Sequence, residues 1–285
     1  MVEFRIADGK HVGAIGPPEG ETLERAVRLA VELGVPVVGT VASSGADVAE
    51  GVSSLHAWGR VARALSDASG VVPTVLMVTG PAVSGSVLLP RSADITIIAP
   101  DATSDATGHD TVRAFTGMAL KNRELGGAAL HAHLSGVASL VVDDEDDARL
   151  AVAHLLAYLP SNHLDDPPAV ATDDPVDRDT SRASAVVPAR ATASYDVRVV
   201  IEDILDEGSF FELRPGYAPN LVTGLGHLDS RAVGVLANQP QQRAGTLDID
   251  ASEKAARFVQ WCDCFNVPLI TLVDTPGFEP GKDLE

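Results

Sequence analysis

Cysteine is scarce in this sequence, with Cys262 and Cys264 as the two examples among 285 residues. They form a C-x-C pair inside a helical pattern. A structural zinc site needs about four ligands, and a dithiol redox motif usually has C-x-x-C spacing. The pair predicts neither, so we interpret both cysteines as small packing residues and predict no metal in this chain.

Basic residues are also few: 21 Lys and Arg stand against 40 Asp and Glu, which gives a net charge of −19. A nucleic-acid footprint needs clustered basic side chains, so we predict no nucleic-acid partner. No apolar run approaches the roughly 18 residues of a membrane span, and residues 2–6 do not resemble a signal peptide. We therefore expect a cytoplasmic protein without a membrane partner. The acidic surface either aids solubility or attracts a basic partner domain.

Aromatic residues make up 4% of the chain, whereas Ala, Val, Leu and Gly are abundant. Small and branched side chains suit close packing of helices on a sheet. Hydrophobic periodicity alternates between the strand and helix types, which predicts a layered α/β fold. Thr22 is the predicted N-cap of the first helix. The predicted helices cover residues 22–33, 52–69, 111–120, 145–159 and 197–205, and the predicted strands cover residues 35–41, 73–78 and 95–99.

The segment 161–192 is rich in Pro and Asp and poor in large apolar side chains. Such a composition predicts an interdomain linker. We therefore predict an N-terminal domain at residues 1–160 and a second domain at residues 193–285.

A pattern in the first domain recurs in the second. Residues 11–15 (HVGAI) precede a helix and the apolar segment 34–38, and residues 232–236 (AVGVL) precede a helix and the apolar segment 266–270. Ser252 is the predicted N-cap of the later helix, and a short insertion in the second copy brings the two halves into alignment. The sequence thus predicts two copies of one α/β design, the second of them truncated.

A turn of small residues is the first candidate site. Residues 80–87 read GPAVSGSV and directly follow a predicted strand. At the start of a helix such a turn exposes backbone N–H groups, which stabilise negative charge, including the oxyanion that develops when a thioester becomes an enolate. The alternative interpretation is an ordinary turn between a strand and a helix. No Lys follows Gly85, so the segment is not a phosphate-binding loop.

Three histidines of the first domain, His109, His131 and His133, are candidates for a general base or a metal cluster. Alternation along a strand would turn His131 and His133 to one side. The alternative is that all three are structural or surface residues. The turn 274–278 (DTPGF) follows another apolar strand; ligands gather at strand ends in α/β folds, but the pattern is equally typical of a loop.

Four segments carry a resemblance to a known family. Residues 247–259 read LDIDASEKAARFV and residues 262–278 read CDCFNVPLITLVDTPGF, while the first domain contains ELGGA at 124–128 and SGVA at 135–138. In this order they resemble the carboxyltransferase (beta) subunits of biotin-dependent acyl-CoA carboxylases of the propionyl-CoA or acetyl-CoA type. The similarity extends over nearly the whole chain.

This resemblance implies a crotonase-type fold, as in ClpP and enoyl-CoA hydratase, duplicated along the chain. It also implies that acyl-CoA lies on the N-terminal domain and carboxybiotin on the C-terminal domain of a neighbouring subunit in a homo-oligomer. Biotin would be carried by a partner, the biotin carboxylase or biotin carrier subunit. The family's paired glycines for oxyanion contact fall here on Ser84 and Gly85. The resemblance places acyl-CoA contacts at Ser44, Gly45, Ala46, Val83 and Ser86.

Two segments depart from the family pattern. The family turn Asp-Ser-Gly-Gly-Ala-Arg reads ASSGAD at 42–47, which replaces an arginine by Asp47. An apolar run that ends in Gly-Pro-Asp in the family reads SDATGHD at 104–110. The family's second oxyanion turn would lie beyond Glu285.

These departures leave three interpretations open. The chain is a carboxyltransferase component that acts on a short acyl-CoA such as propionyl-CoA or acetyl-CoA. Alternatively, it is a non-catalytic or regulatory homologue within the carboxylase oligomer. The third interpretation is a repurposed crotonase-like decarboxylase or thioesterase, with His109 as a local base.

Overall fold

The chain folds into two units, each with its own β-sheet. The computed structural model describes residues 1–6, 12–190 and 193–281. Unit 1 consists of Met1–Ala153 and Ser161–His163, and unit 2 consists of His154–Pro160 and Leu164–Glu285. Across the described ranges, no helix is both long enough and apolar enough to cross a membrane.

A parallel sheet forms the centre of unit 1. Its strands are β1 (Val2–Ile6), β2 (Val37–Ser43), β3 (Thr74–Val83), β4 (Ile95–Ile98), β5 (Thr103–Asp105) and β6 (Leu140–Val141). The strand order is β1-β2-β3-β4-β6, and β5 pairs with the end of β3. Continuous burial along residues 37–41 shows that both faces of β2 are covered, which explains why these strands read as runs of Val, Ile and Leu.

Helices α1 and α2 pack their apolar sides on this sheet. The helices that begin in unit 1 are α1 (Pro17–Leu33), α2 (Val52–Ala68), α3 (Leu88–Ser92), α4 (His109–Thr116), α5 (Asn122–Gly126), α6 (Ala128–His133) and α7 (Glu145–Leu156). Val27 of α1, Trp58 and Leu65 of α2, and Leu76 of β3 share one buried cluster. The i, i+3, i+4 spacing of such residues forms the amphipathic stripe that the sequence pattern predicts.

The first helix begins at Pro17, so the prediction of Thr22 as its N-cap is wrong. Gly16 is the N-cap, and its N–H donates to the carboxylate of Glu19 at 3.1 Å. Prolines are well tolerated in the first turn of a helix because N–H groups there lack intrahelical partners. The Thr22 hydroxyl instead donates to the carbonyl of Pro18 within the helix, at 2.9 Å.

Strand β3 is longer than the sequence predicts. It continues through Gly80 and Pro81 to Val83, because β5 adds a second partner to its carboxyl-terminal end. The turn of small residues therefore begins at Ser84 rather than at Gly80.

Unit 2 contains a four-stranded mixed sheet. Its elements are α8 (Ser181–Val186), α9 (Val197–Ile204), β7 (Phe211–Leu213), β8 (Leu221–Leu228), β9 (Arg231–Asn238), α10 (Ile249–Cys264) and β10 (Leu269–Leu272). The order is β10-β9-β8-β7, with β9 and β10 parallel and the other pairs antiparallel. Val197 and Ile201 of α9 are buried against Val222 and Val235 of the sheet.

Helix α10 begins at Ile249, capped by Asp248, so the prediction of Ser252 as its N-cap is also wrong. The Asp248 carboxylate accepts the N–H of Ala251 at 2.9 Å, as an N-cap side chain does. Near its other end, Cys262 is buried, as a packing residue should be, but Cys264 is exposed. Burial raises the pKa of the Cys262 thiol to about 12, which keeps it protonated.

The segment 164–190 is attached to unit 2 by specific polar contacts. Arg178 donates to the carbonyl of Leu205 at 2.6 Å, and the N–H of Ala183 donates to the buried Asp203 carboxylate at 2.8 Å. The short helix α8 lies in this segment. Its Pro- and Asp-rich composition therefore accompanies an ordered, anchored chain.

The internal repeat is a β-α-β unit in each copy, with a register that differs from the sequence alignment. Val2 of β1 pairs with Val37 of β2, and Gly234 of β9 pairs with Leu269 of β10. Gly234 and Leu269 each lie 232 positions after their counterparts Val2 and Val37, so no insertion is needed. The predicted first element at 11–15 is not the repeated strand, and His11 itself lies outside the described residues.

Candidate functional site

The turn after β3 presents backbone N–H groups at the carboxyl end of a parallel sheet. Ser84 and Gly85 open a 3-10 helix, Ser84–Val87, that leads into α3. N–H groups in the first turn of a helix have no intrahelical partners. Ser86 holds the turn in shape, because its buried hydroxyl donates to the carbonyl of Val83 at 2.7 Å.

Gly85 packs closely on the Trp58 ring of α2. A Cβ on Gly85 would lie 3.3 Å from the ring of Trp58, which is itself 2% exposed. That distance is tight for a carbon contact, so a side chain here would displace the turn or the indole. The sequence gives no signal of this contact, because Trp58 belongs to a different helix.

Ser84 occupies a conformation that suits glycine. Its φ is +62°, in the left-handed region, where an L-residue is less stable by about 1–2 kcal/mol. The side chain itself is exposed. Ser84 stands where the family pattern has a glycine. The backbone of the turn therefore keeps a glycine-like conformation, and the serine is locally strained.

Replacing Ser84 with Gly should remove this strain and raise the free energy of unfolding of unit 1 by about 0.5–1 kcal/mol. Ser44→Gly is the matched control. Ser44 has a negative φ, so glycine relieves no strain there and only increases the conformational entropy of the unfolded chain. The control should therefore lower stability. Urea unfolding of both variants checks the prediction, and equal shifts in the two would contradict it.

The second predicted loop, residues 44–46, lies directly beside this turn. The end of β2 pairs with β3 through Ser43 and Ala82, and a Cβ on Gly45 would lie 2.9 Å from the carbonyl oxygen of Val83. Gly45 has a φ of +107°. The structure therefore brings together all seven residues that the resemblance assigns to the site: Ser44, Gly45, Ala46, Val83, Ser84, Gly85 and Ser86.

Loop 44–46 is also pinned from its other side. The N–H of Ile15 donates to the carbonyl of Gly45 at 2.9 Å, and the N–H of Gly45 donates to the Ser43 hydroxyl at 3.1 Å. Ala46 forms a parallel bridge with Ile15. These bonds fix the loop backbone, which is the condition for a preorganised binding surface.

Asp47 has a local structural role. Its carboxylate accepts the N–H of Ala49 at 2.9 Å and so caps the 3-10 helix Val48–Glu50. Its own N–H donates to the carbonyl of Ile15 at 3.0 Å. Asp47, which stands where the family pattern has an arginine, thus acts as the N-cap of the next helical turn.

Asp105 is a further acid next to the turn. It ends strand β5 and pairs with Val83, the residue before Ser84. Its exposed fraction is 8%, and its Oδ1 is buried with no hydrogen-bond partner among the described residues. Burial raises the pKa of this carboxyl, while the nearby His109 and His131 act in the opposite direction. The sequence signal that could have pointed to Asp105 is that an acid stands within a run that is apolar in the family.

His131 is a structural residue. Its Nε2 lies 2.7 Å from the carbonyl of Ser104 and its Nδ1 lies 2.7 Å from the hydroxyl of Ser135. Because a carbonyl can only accept, Nε2 carries the proton and Nδ1 accepts from Ser135. Burial lowers the pKa of the ring, which keeps it neutral.

The three histidines do not form the candidate cluster and fit the alternative of structural or surface residues. His131 and His133 lie on helix α6, where residues two apart face different directions, and His133 is exposed. His109 is the first residue of α4, and its side chain is 47% exposed. Its Nε2 lies 3.4 Å from Oδ1 of Asp110. In the part of the chain that the structure describes, no three His, Cys, Asp or Glu side chains are placed to hold a metal ion.

The turn 274–278 in unit 2 is held by its neighbours. The Asp274 carboxylate accepts the hydroxyl of Tyr195 at 3.0 Å, and burial followed by this contact raises the pKa of Tyr195 to about 12. The N–H of Leu247 donates to the carbonyl of Gly277 at 3.0 Å. The loops that follow β9 and β10 are therefore locked together at the carboxyl ends of these strands.

Comparison with known proteins decides the family. Residues 6–285 match the carboxyl transferase domain. The chain belongs to this family. Propionyl-CoA carboxylase, carboxyltransferase subunit, from Haloferax mediterranei is 42% identical over 274 residues, which cover 96% of this chain and 53% of the relative. Methylmalonyl-CoA decarboxylase subunit alpha from Veillonella parvula is 36% identical over 96% of this chain and 54% of its own length.

Solved structures agree with this membership and with the crotonase-type fold. The transcarboxylase 12S hexamer, crystallised with hydrolysed methylmalonyl-CoA, superposes with a TM-score of 0.93 at 38% identity, over 95% of this chain and 54% of the other. A single-chain, multi-domain long-chain acyl-CoA carboxylase superposes with a TM-score of 0.82 at 30% identity, over 95% and 27% of the two chains. The chain thus spans about half the length of the curated relatives that it matches.

Proposed function

We propose that this chain acts in the transfer of a carboxyl group from carboxybiotin to the α-carbon of a short acyl-CoA, such as propionyl-CoA or acetyl-CoA. The observation that carries the proposal is the junction of loop 44–46 with the Ser84–Gly85 turn at the carboxyl ends of β2 and β3. Ligands in α/β folds bind at such strand ends. The name of the relative at 42% identity, a carboxyltransferase subunit of propionyl-CoA carboxylase, supports the same chemistry.

In this proposal, the N-terminal domain (1–160) of one subunit binds acyl-CoA, and the C-terminal domain (193–285) of a neighbouring subunit binds carboxybiotin. Carboxybiotin is delivered by a biotin carrier that works with a biotin carboxylase. A hexameric core is described for transcarboxylase 12S, which supports a homo-oligomer here. The partners are proteins, in keeping with a net charge of −19 that does not suit nucleic acid.

The turn has a defined task in this reaction. Its N–H groups hold the thioester oxygen and stabilise the negative charge that develops there as the α-carbon becomes an enolate. The Gly85 N–H is the principal donor, because it lies in the first turn of the 3-10 helix. Loop 44–46 and Ser86 fix the position of the substrate against these donors, which favours reaction by orientation.

Gly85→Ala tests the proposal in a transfer assay. The purified protein is given methylmalonyl-CoA with excess free biotin, and the release of propionyl-CoA is measured by chromatography. The variant should lose at least about 100-fold in rate, because its Cβ moves the oxyanion donors relative to the substrate. Gly59→Ala on α2, where a Cβ meets nothing within 4 Å, should retain the rate.

A separate binding measurement tells the competing interpretations apart. Calorimetric titration with propionyl-CoA should show binding that Gly85→Ala weakens. If the protein neither binds propionyl-CoA nor transfers carboxyl, the non-catalytic or regulatory interpretation replaces the proposal. Release of free CoA from methylmalonyl-CoA would instead indicate a thioesterase, and release of propionyl-CoA that does not depend on added biotin would indicate a decarboxylase.

A further inference from the structure

Asp105 is a buried acid beside the proposed thioester site. Its backbone pairs in parallel with Val83, and neighbouring strands lie about 4.8 Å apart. The next residue after Val83 is Ser84, where the turn begins. Strand β5 also contacts the 3-10 helix Ser84–Val87 directly. The backbone of Asp105 therefore lies beside the last residue before the turn, and its side chain is buried there.

Among the described residues, the carboxylate of Asp105 has no ion-pair partner that would explain its burial, although His109 and His131 lie near enough to act on its pKa. Glu24, also buried in unit 1, pairs with both Arg28 and Arg60, and the buried Asp203 of unit 2 accepts the N–H of Ala183. Asp105 forms no ion pair within the described ranges, and its Oδ1 lacks any hydrogen bond there. A buried acid without such support destabilises a fold. Because Asp105 costs stability, we look for a functional role that would explain it.

Its surroundings favour proton exchange over a fixed charge. Burial raises the pKa of the Asp105 carboxyl, which makes its ionised form a stronger base than an exposed aspartate. The neighbouring His131 has both ring nitrogens engaged, with Ser104 and Ser135, so it does not compete for this role. Gly126 packs directly against the acid, because a Cβ there would lie 2.8 Å from that of Asp105.

We propose that Asp105 exchanges a proton with the α-carbon of an acyl thioester bound at the Ser84–Gly85 turn. The inference rests on the proposed function, which puts the thioester oxygen at that turn. The carboxylate oxygen takes the α-proton, the C–H bond breaks, and its electron pair forms the enolate, whose oxygen accepts hydrogen bonds from the turn. In the reverse step the carboxylic acid returns a proton to the α-carbon. The exchange needs no biotin.

Deuterium exchange tests this step. The purified protein is incubated with propionyl-CoA in D2O without biotin or bicarbonate, and the α-deuterium content of the thioester is followed by mass spectrometry. The wild-type protein should catalyse incorporation, and Asp105→Asn should slow it by at least about 100-fold, the usual minimum for loss of a general base. Asp101→Asn, an exposed acid of the same segment, should not change the rate.

Two further measurements separate loss of the acid from misfolding and from loss of substrate binding. Asp105→Leu should fold and also fail to exchange, which separates loss of the acid from misfolding of the Asn variant. Propionyl-CoA binding is measured by calorimetry on each protein. Binding with no exchange, or with exchange unchanged in Asp105→Asn, overturns the role of Asp105 and leaves the proposed function standing. Absence of binding by the wild-type protein overturns both.

Discussion

Replacing Lys254 with Met will lower the free energy of unfolding of unit 2 by about 3 kcal/mol. Lys254 lies on α10 with 3% exposure. Its ammonium donates to the carbonyl oxygens of Leu221, Tyr217 and Arg214 at 2.7, 2.8 and 2.9 Å, with Ala218 further away at 3.4 Å. Arg214 and Ala218 have φ values of +54° and +43°, so the ammonium holds a loop whose backbone is strained.

The size of this effect follows from two opposing contributions. Methionine keeps the packing of the aliphatic stem but removes the ammonium donor. The carbonyls of Arg214 and Ala218 retain backbone donors, the N–H groups of Tyr217 at 3.3 Å and Leu221 at 3.0 Å, and each group left unsatisfied costs about 1–3 kcal/mol. It also removes the free-energy cost of burying the ammonium. In the wild-type protein, that burial lowers the pKa of Lys254 to about 7. The net loss is therefore smaller than the sum over the lost hydrogen bonds.

Hydrogen exchange resolved by peptide measures the effect where it arises, in residues 214–221 and the neighbouring sheet. Arg257→Met is the matched control, one turn further along the same helix and exposed. It should change stability by less than about 0.5 kcal/mol. Equal protection in the two variants would show that the four carbonyls do not depend on Lys254.

Replacing Gly45 with Ala should reduce carboxyl transfer by about 100-fold and destabilise unit 1 by about 2 kcal/mol. The residue has a φ of +107°, and its new Cβ would lie 2.9 Å from the carbonyl oxygen of Val83 and 3.4 Å from Cβ of Ser84. Both contacts belong to the proposed oxyanion turn. The loop and the turn must therefore separate, and the donors move with them.

Gly51→Ala distinguishes this contact from backbone strain alone. Gly51 also has a positive φ, of +55°, but a Cβ there meets nothing within 4 Å. The control should lose about 1 kcal/mol of stability and retain full transfer. Similar losses of transfer in both variants, measured by propionyl-CoA release from methylmalonyl-CoA, would rule out the loop contact as the cause.

Local sequence signals located most elements but missed their ends. Helix α2 begins at Val52, as the apolar pattern predicts. Helix α1 begins at Pro17 and helix α10 at Ile249, because the caps are Gly16 and Asp248 rather than the nearest Thr and Ser. A cap depends on which N–H groups the folded chain leaves unpaired, so several polar residues near a helix start are equivalent in sequence alone.

The end of β3 illustrates a longer-range dependence. Gly80 and Pro81 are typical turn residues, yet both lie within the strand. Pairing with β5, twenty-two residues later in the register of Pro81 with Thr103, extends it. Local propensity gave way to a tertiary contact that no short window of sequence contains.

Hydrophobic periodicity was enough to predict the α/β class, because it is a property of the chain alone. The crotonase-type fold, the family and the seven residues of the candidate site followed from the resemblance that the ordered motifs carry. The left-handed φ of Ser84 and the support that Lys254 gives to a strained loop became visible only in the folded chain. The same holds for the burial of Asp105 beside the turn, where its Oδ1 has no hydrogen bond among the described residues. Burial and register depend on contacts between residues distant in sequence, and these contacts set the energy of each polar group.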